Sequence, residues 1–328
     1  MKRRNRSSKR RRQITFSILA VILFMFAAGP FVVRMELLRE AKRDYDIRKV
    51  QEELGWLEKY GGPLNALEYT KDTKLWLELN LGSKEVESTL TAYQDEKHLA
   101  WLANFYSQVG DFTKAQSILE TMDPSPRTRL GKGLLSLAKG EAKETQALLA
   151  GTESDWKSLT PQEQCLRHLS LAQAAISLED IPSVNAELDT AQKLDPKNPT
   201  YLTVRFNLAI AQGDWAKAIQ ISQLIDDQTW RPPNTLYLIK GAILAIHEND
   251  PQGLSHRLTL LEKLPRVEGS IHYVKGINAL KKGQLQEGKT LLELALKDGL
   301  EGEVKADAQK ALEQVSERQK VEPTLQTF

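Results

Sequence analysis

Five histidines and one cysteine are the side chains of this chain best suited to acid–base, nucleophilic or metal chemistry, and their spacing offers none of it. His98, His168, His247, His256 and His272 never fall two or four residues from one another. None has the neighbouring carboxylate pattern that completes a zinc site on a helix. Cys165 is the only cysteine, so neither an intrachain disulfide nor a thiolate metal cluster can form. It is a nucleophile in principle. Opening a helix with Leu166, Leu169 and Leu171, it reads instead as a small buried packing residue. The chain has no GxSxG, no phosphate-binding loop and no dinucleotide glycine pattern. Trp56, Trp76, Trp101, Trp156, Trp215 and Trp230 are dispersed and imply no aromatic cage. No catalytic residue, cofactor or metal is therefore expected. An enzyme with an unrecognised site stays as the least favoured alternative.

With chemistry set aside, location becomes the strongest signal. Eight of the first twelve residues are Lys or Arg, and an uncharged, largely apolar run of twenty residues fills Ile14 to Val33. Twenty residues of helix reach about 30 Å, the thickness of a bilayer's hydrocarbon core, and a lipid-spanning segment satisfies its own backbone only as a helix. The rival reading is a cleaved secretory signal. Its apolar core would be shorter and would end in a small-x-small site, whereas Ala27, Ala28 and Gly29 are followed by Pro30. The expectation is residues 1–13 as a basic cytoplasmic tail, residues 14–33 as one transmembrane helix and the rest across the membrane. The basic tail can touch acidic headgroups or only set topology; the second is favoured.

Net charge is +2, but residues 1–43 carry twelve basic and two acidic side chains and the remainder thirty-three and forty-one. The larger part is thus net −8 and lacks the basic footprint of a nucleic-acid binder. An exported domain without disulfides fits a bacterial envelope better than a eukaryotic secretory lumen.

From Phe31 to about Tyr60 the pattern is helical and charged, with Ile47, Val50, Leu54 and Leu57 in one stripe. Gly61-Gly62-Pro63 stops it. Residues 34–67 read as a juxtamembrane stalk with a short seam for possible self-association as a coiled coil. Internal repeats follow. GDFTKA at Gly110–Ala115 returns as GDWAKA at Gly213–Ala218, Lys240-Gly241 returns as Lys275-Gly276, and Gly253 as Gly288. A period near 34 with helical spacing and no strand signal means paired helices stacked in a solenoid.

At these residues the chain resembles the tetratricopeptide repeat family. Leu99, Leu102, Ala103, Tyr106, Ala115 and Leu119 match its pattern in a unit from Glu96. Leu171, Ala172, Leu188, Ala191 and Pro196 match in a unit from Cys165. Units from Pro199, Asn234 and Gly269 keep Leu202, Ala209 and Ala218; Tyr237, Gly241 and Pro265; and Gly276, Leu292 and Ala295. Arg205 and Phe206 depart from it. A weaker unit at Pro126–Leu159 rests on Gly133, Gly140 and Leu149, and a half-match covers Leu75–Tyr93. The resemblance implies an all-α fold, a right-handed superhelix of helical hairpins over residues 68–319, clearest over 96–302. A capping helix over 306–319 and a loose tail over 320–328 complete it. In that register His98, His168 and His272 stand near a large packing position of the first helix, so packing outweighs catalysis for them.

The resemblance also implies a concave binding face lined by the first helix of each hairpin. Its candidates are Lys97, Asn104, Gln108, Gln173, Asn207, Leu238, Tyr273, Ile277 and Lys281. Asn104 and Asn207 share one register position, where an amide grips a peptide backbone by donor and acceptor. The even alternative is a solvated groove with no single ligand. The lower, more apolar half suits an amphipathic helix or an extended apolar segment. The expected function is a membrane-anchored scaffold that binds a protein or peptide partner in the cell envelope, in assembly, secretion or wall processes. The alternative keeps the repeats but turns them to the cytoplasm as a docking receptor.

Overall fold

The computed structural model describes residues 29–81, 86–226, 235–264, 267–300 and 302–325, with side chains to residue 317. The chain divides into two compact units, Met1–Ser83 and Lys84–Phe328. Among the described residues there is no strand.

In the first unit, α1 (29–43) and α2 (Ile47–Tyr60) are followed by a 3-10 turn at Gly62–Ala66 and by α3 (Glu68–Leu81). The single helix expected from Phe31 to Tyr60 is broken. Tyr45 takes a left-handed φ of 55°, and the Asp46 amide donates back to the Ala41 carbonyl at 2.9 Å. The Asp46 carboxylate then accepts from the Lys49 amide and caps α2. The chain therefore turns back on itself. Arg34 at the start of α1 pairs with Glu53 in α2 at 2.9 Å, and the Phe31 and Trp56 rings meet edge to face. The stripe of Ile47, Val50, Leu54 and Leu57, which offered a seam to a second copy, is buried here, as are Leu38 and Ala41 of α1. Of the expected transmembrane helix, residues 14–28 lie outside the described residues. No helix among the described residues is long and apolar enough to cross a membrane.

The second unit opens with a short helix, α4 (Val86–Leu90). Six helical hairpins follow: α5 with α6 (Glu96–Gln108, Phe112–Thr121), α7 with α8 (Pro126–Lys139, Ala142–Leu149) and, after the single turn α9 (Glu153–Trp156), α10 with α11 (Pro161–Ser177, Ile181–Leu194). Then come α12 with α13 (Pro199–Ala211, Trp215–Asp226), α14 with α15 (Thr235–His247, Pro251–Leu261) and α16 with α17 (Glu268–Lys281, Leu285–Lys297); α18 (Glu303–Leu325) ends the chain. First helices pack on first helices in series from α5 to α16, which builds one continuous wall.

One turn is used in all six hairpins. Gly110, Gly140, Glu179, Gly213, Asn249 and Gly283 each take a left-handed φ. In each case the next residue's amide donates to a carbonyl five residues back, as Asp111 does to Tyr106 at 2.8 Å and Asp250 to Ala245 at 2.8 Å. Asp111, Asp180, Asp214 and Asp250 then cap the second helix with their carboxylates. The α1–α2 turn at Tyr45-Asp46 has the same geometry.

Small residues set the hairpin spacing. Ala103, Ala115, Ala172, Ala191, Ala209, Ala218 and Ala295 are 0–1 % exposed. A Cβ on Gly276 would meet Leu292 at 3.1 Å and the Gly288 carbonyl at 3.3 Å, so α16 and α17 touch almost backbone to backbone. Phe206, Tyr237 and Trp156 fill the wider spaces. Helix bounds differ from the expected ones in two places. The third hairpin begins at Pro161, capped by Thr160, one turn before Cys165. The final helix extends past both ends of 306–319, and the tail expected to be loose is helical to Leu325.

Candidate functional site

The wall of first helices is partly covered from within. After α17, the turn carrying Gly299 and Gly302, both with left-handed φ, swings the chain back towards the second hairpin. A Cβ on Gly140, at the end of α7, would lie 2.8 Å from the Gly302 backbone. Only two glycines allow main chain to lie on main chain there. Glu303 follows at once and reaches three first-helix side chains. Gln173 Nε2 donates to its Oε2 at 3.0 Å, and Ser177 Oγ to the same oxygen at 3.5 Å. Lys240 Nζ lies 2.5 Å from Oε1, an ion pair rather than an aligned hydrogen bond. Behind this contact, Asn207 Nδ2 donates to Gln173 Oε1 at 2.8 Å. The amide chain Asn207–Gln173–Glu303 thus links α12, α10 and α18.

Beyond Glu303, α18 packs against α17 and adds its apolar stripe to the cluster shared by the last two hairpins. Val304 and Ala308 are buried with Leu238, Ala242 and Tyr273 in one cluster, with Ala311 and Leu312 packed against it. Burial, and then the charges of Asp307 and Glu303, raise the Tyr273 hydroxyl above its ordinary value. Crowding by protein and then Glu303 raise the Asp307 carboxyl, although the residue as a whole remains exposed. Two ammonium groups, those of Lys240 and Lys310, oppose the rise at Asp307.

The structure therefore splits the predicted groove. Gln173, Asn207, Leu238 and Tyr273 are buried, at 7, 1, 1 and 6 % exposure. Asn207 donates to Gln173, which donates to Glu303, and the other two share a cluster with Val304 and Ala308 of α18. Ile277 packs on the edge of the same cluster. Lys281, at the end of α16, is exposed. At the other end of the wall, Gln108 is exposed and Lys97 and Asn104 are half-buried on α5, with Lys97 5.1 Å from the Trp101 ring. Asn104 and Asn207 occupy equivalent places but different surroundings. Sequence reasoning missed Glu303, Lys240 and Ser177. The available signal was Gly299-Leu-Glu-Gly302-Glu303, two glycines spaced to turn the chain ahead of a carboxylate.

Cys165 and four of the five histidines are held in packing or pairing contacts here, and His256 is exposed on α15. Cys165 is 1 % exposed and burial, with Asp195 adding, pushes its thiol up to about 12, so no thiolate forms near neutrality. His98 is buried, stacks on Tyr93 and bonds Asp95 at 2.6 Å. His168 bonds Glu187 at 2.5 Å, His272 bonds Asp298 at 2.8 Å and His247 stacks on Trp215. Among the described residues no three His, Cys, Asp or Glu side chains converge as a metal would require.

No protein-family model matches the chain, and no curated protein matches it. A solved tetratricopeptide repeat protein from Parabacteroides merdae is similar in structure, at 11 % identity and a TM-score of 0.45. The match covers 87 % of this chain and 98 % of that one.

Proposed function

We propose that this chain is a single-pass, membrane-anchored helical-repeat scaffold that binds a protein or peptide partner along its wall of first helices. The observation that carries the binding reading is α18. The wall receives an amphipathic helix by holding a carboxylate between an amide and an ammonium, and by seating a stripe of small apolar side chains. A surface with that chemistry suits another helix of like pattern. The stretch around Lys97, Asn104 and Gln108 offers a partner the part of the wall that the contacts of α18 do not reach. The anchor is supported by the twenty-residue apolar run behind eight basic residues. That asymmetry favours repeats outside the cytoplasm, where an adaptor in envelope assembly, secretion or wall processes would act. Tethering then raises the partner's effective concentration near the membrane.

Two measurements test this in cells. A photo-crosslinking residue at Asn104 or Gln108 is expected to trap one discrete partner, and the same residue at exposed Ala216 on α13 is not. Equal trapping at all three, or none, would remove the wall as the binding surface. Protease added after the wall or outer envelope is opened should digest the repeats while a cytoplasmic control survives. Protection of repeats that are cleaved after lysis would reverse the topology and favour a cytoplasmic docking receptor.

A further inference from the structure

Among the described residues of the first unit, four of the five exposed large apolar side chains gather at one end, and the fifth, Leu81 at 37 %, stands apart at the far end of α3. Val32 and Val33 are 67 and 57 % exposed at the start of α1, Tyr60 is 53 % exposed at the end of α2, and Leu67 is 44 % exposed just before α3. The topology brings these three segments together. α1 and α2 are antiparallel, so residue 31 faces residue 56, and the turn Gly62–Ala66 joins the end of α2 to the start of α3 at that same end. Trp56 completes the surface. Its ring lies 5.4 Å from both Phe31 and Tyr60.

Basic groups sit beside these rings. The Arg34 guanidinium lies 5.2 Å from the Trp56 ring while paired with Glu53, and Lys59 Nζ lies 5.1 Å from the Tyr60 ring. Apolar side chains that water should not favour, amphipathic aromatics and snorkelling cations on one tip form the side-chain set of a bilayer's headgroup layer. The tip also coincides with the end of the apolar run at Val33. An anchor entering the membrane there would leave Tyr60 and Leu67 no deeper than the interface.

We infer that this end of the first unit is seated in the headgroup layer of a lipid bilayer, with Trp56, Tyr60 and Leu67 as interfacial contacts and Lys59 toward lipid phosphates. This rests on the anchor reading and adds a surface to it. The unit becomes a footing that stands on the membrane rather than a stalk that rises freely from it.

The test uses the full chain with Cys165→Ala, reconstituted in vesicles of phosphatidylcholine and phosphatidylglycerol, with helicity checked by circular dichroism. Nitroxide labels are placed at Tyr60→Cys and, separately, Leu67→Cys. Arg43→Cys at the opposite end is the water-facing control, and Leu19→Cys reports on the anchor. Collision with oxygen is compared with collision with a water-soluble nickel chelate. The expected result is a shift of both tip labels towards oxygen relative to Arg43→Cys, short of the value at Leu19→Cys. Tip labels matching Arg43→Cys while Leu19→Cys is lipid-buried would overturn the footing and keep the anchor. Water-like values at all four sites would overturn both. Interfacial tip labels with a water-exposed Leu19→Cys would support the footing and remove the anchor.

Discussion

Arg127 ties three helices together by a single side chain. Its Nε donates to Glu163 of α10 at 2.7 Å and its Nη1 to Glu96 of α5 at 3.1 Å. Burial works against the Glu163 charge. The Arg127 guanidinium and the Thr160 amide overcome it and hold the carboxyl below its ordinary value. A depressed carboxylate stabilises the fold above its unfolded pKa, near 4.3, and that stabilisation is lost as pH falls through the folded value. Glu163→Gln is therefore expected to cost about 1 kcal/mol at pH 7, and the gap to wild type should close below about pH 4. Denaturant melts from pH 7 to pH 3 check it; a constant gap would mean that charge is not the cause. Close packing gives a second residue-scale outcome. Ala218 is fully buried beside Phe206 and Tyr237, so Ala218→Trp should cost about 1–3 kcal/mol or more. Ala216→Trp, two residues earlier on the exposed face, should stay within about 0.5 kcal/mol. Similar melting temperatures for the two variants would show the register of α13 to be wrong.

At the scale of the element, the hairpin turn separates backbone strain from docking. Gly213 has a left-handed φ and open space around it, while Gly140 has a similar φ and the Gly302 backbone against it. Gly213→Ala should cost about 1 kcal/mol, the conformational penalty alone. Gly140→Ala should cost more, because its Cβ has to push main chain away. It should also speed amide exchange at the start of α18, which Gly213→Ala leaves unchanged. Equal costs with no change in α18 would show that the α7–α18 contact does not hold in solution. The same turn shows what was legible in the sequence. GD at Gly110 and Gly213 revealed the repeat because both residues are conspicuous. Glu179-Asp180 and Asn249-Asp250 make the same turn without its glycine, since the Schellman bonds tolerate a non-glycine left-handed residue at a modest cost. A repeat unit counted from Cys165 passes over the capped helix start that Thr160, Pro161 and Glu163 spell. Tyr45-Asp46, which also lacks the glycine, is hidden inside a continuous helical pattern. The alanine and glycine contacts were legible because only small residues fit them. The covering of the wall was not, because helix periodicity says which face of α18 is apolar but not which surface that face meets.

At the scale of the molecule, Glu303 changes what a stack of hairpins would otherwise do. In an ideal solenoid each repeat touches only its neighbours, and stability is close to a sum of local terms. Here Glu303 accepts from Gln173 and Ser177 and pairs with Lys240, and Gly302 rests on the end of α7, so the last helix and the turn before it are joined to the second, third and fifth hairpins of its unit. Loosening of the final helix should therefore be felt far away in sequence. Glu303→Lys places two ammonium groups together at Lys240 and removes the acceptor for Gln173, leaving a buried amide partly unpaired. The expected outcome is faster hydrogen exchange in α18 and also at the Gln173–Ser177 end of α10, with a lower denaturant m-value as unfolding of the unit loses cooperativity. Glu313→Lys, on the exposed face of α18, should alter neither. Exchange changes that stop at α17 and α18 would return the unit to nearest-neighbour behaviour and remove α18 as the clasp of the wall.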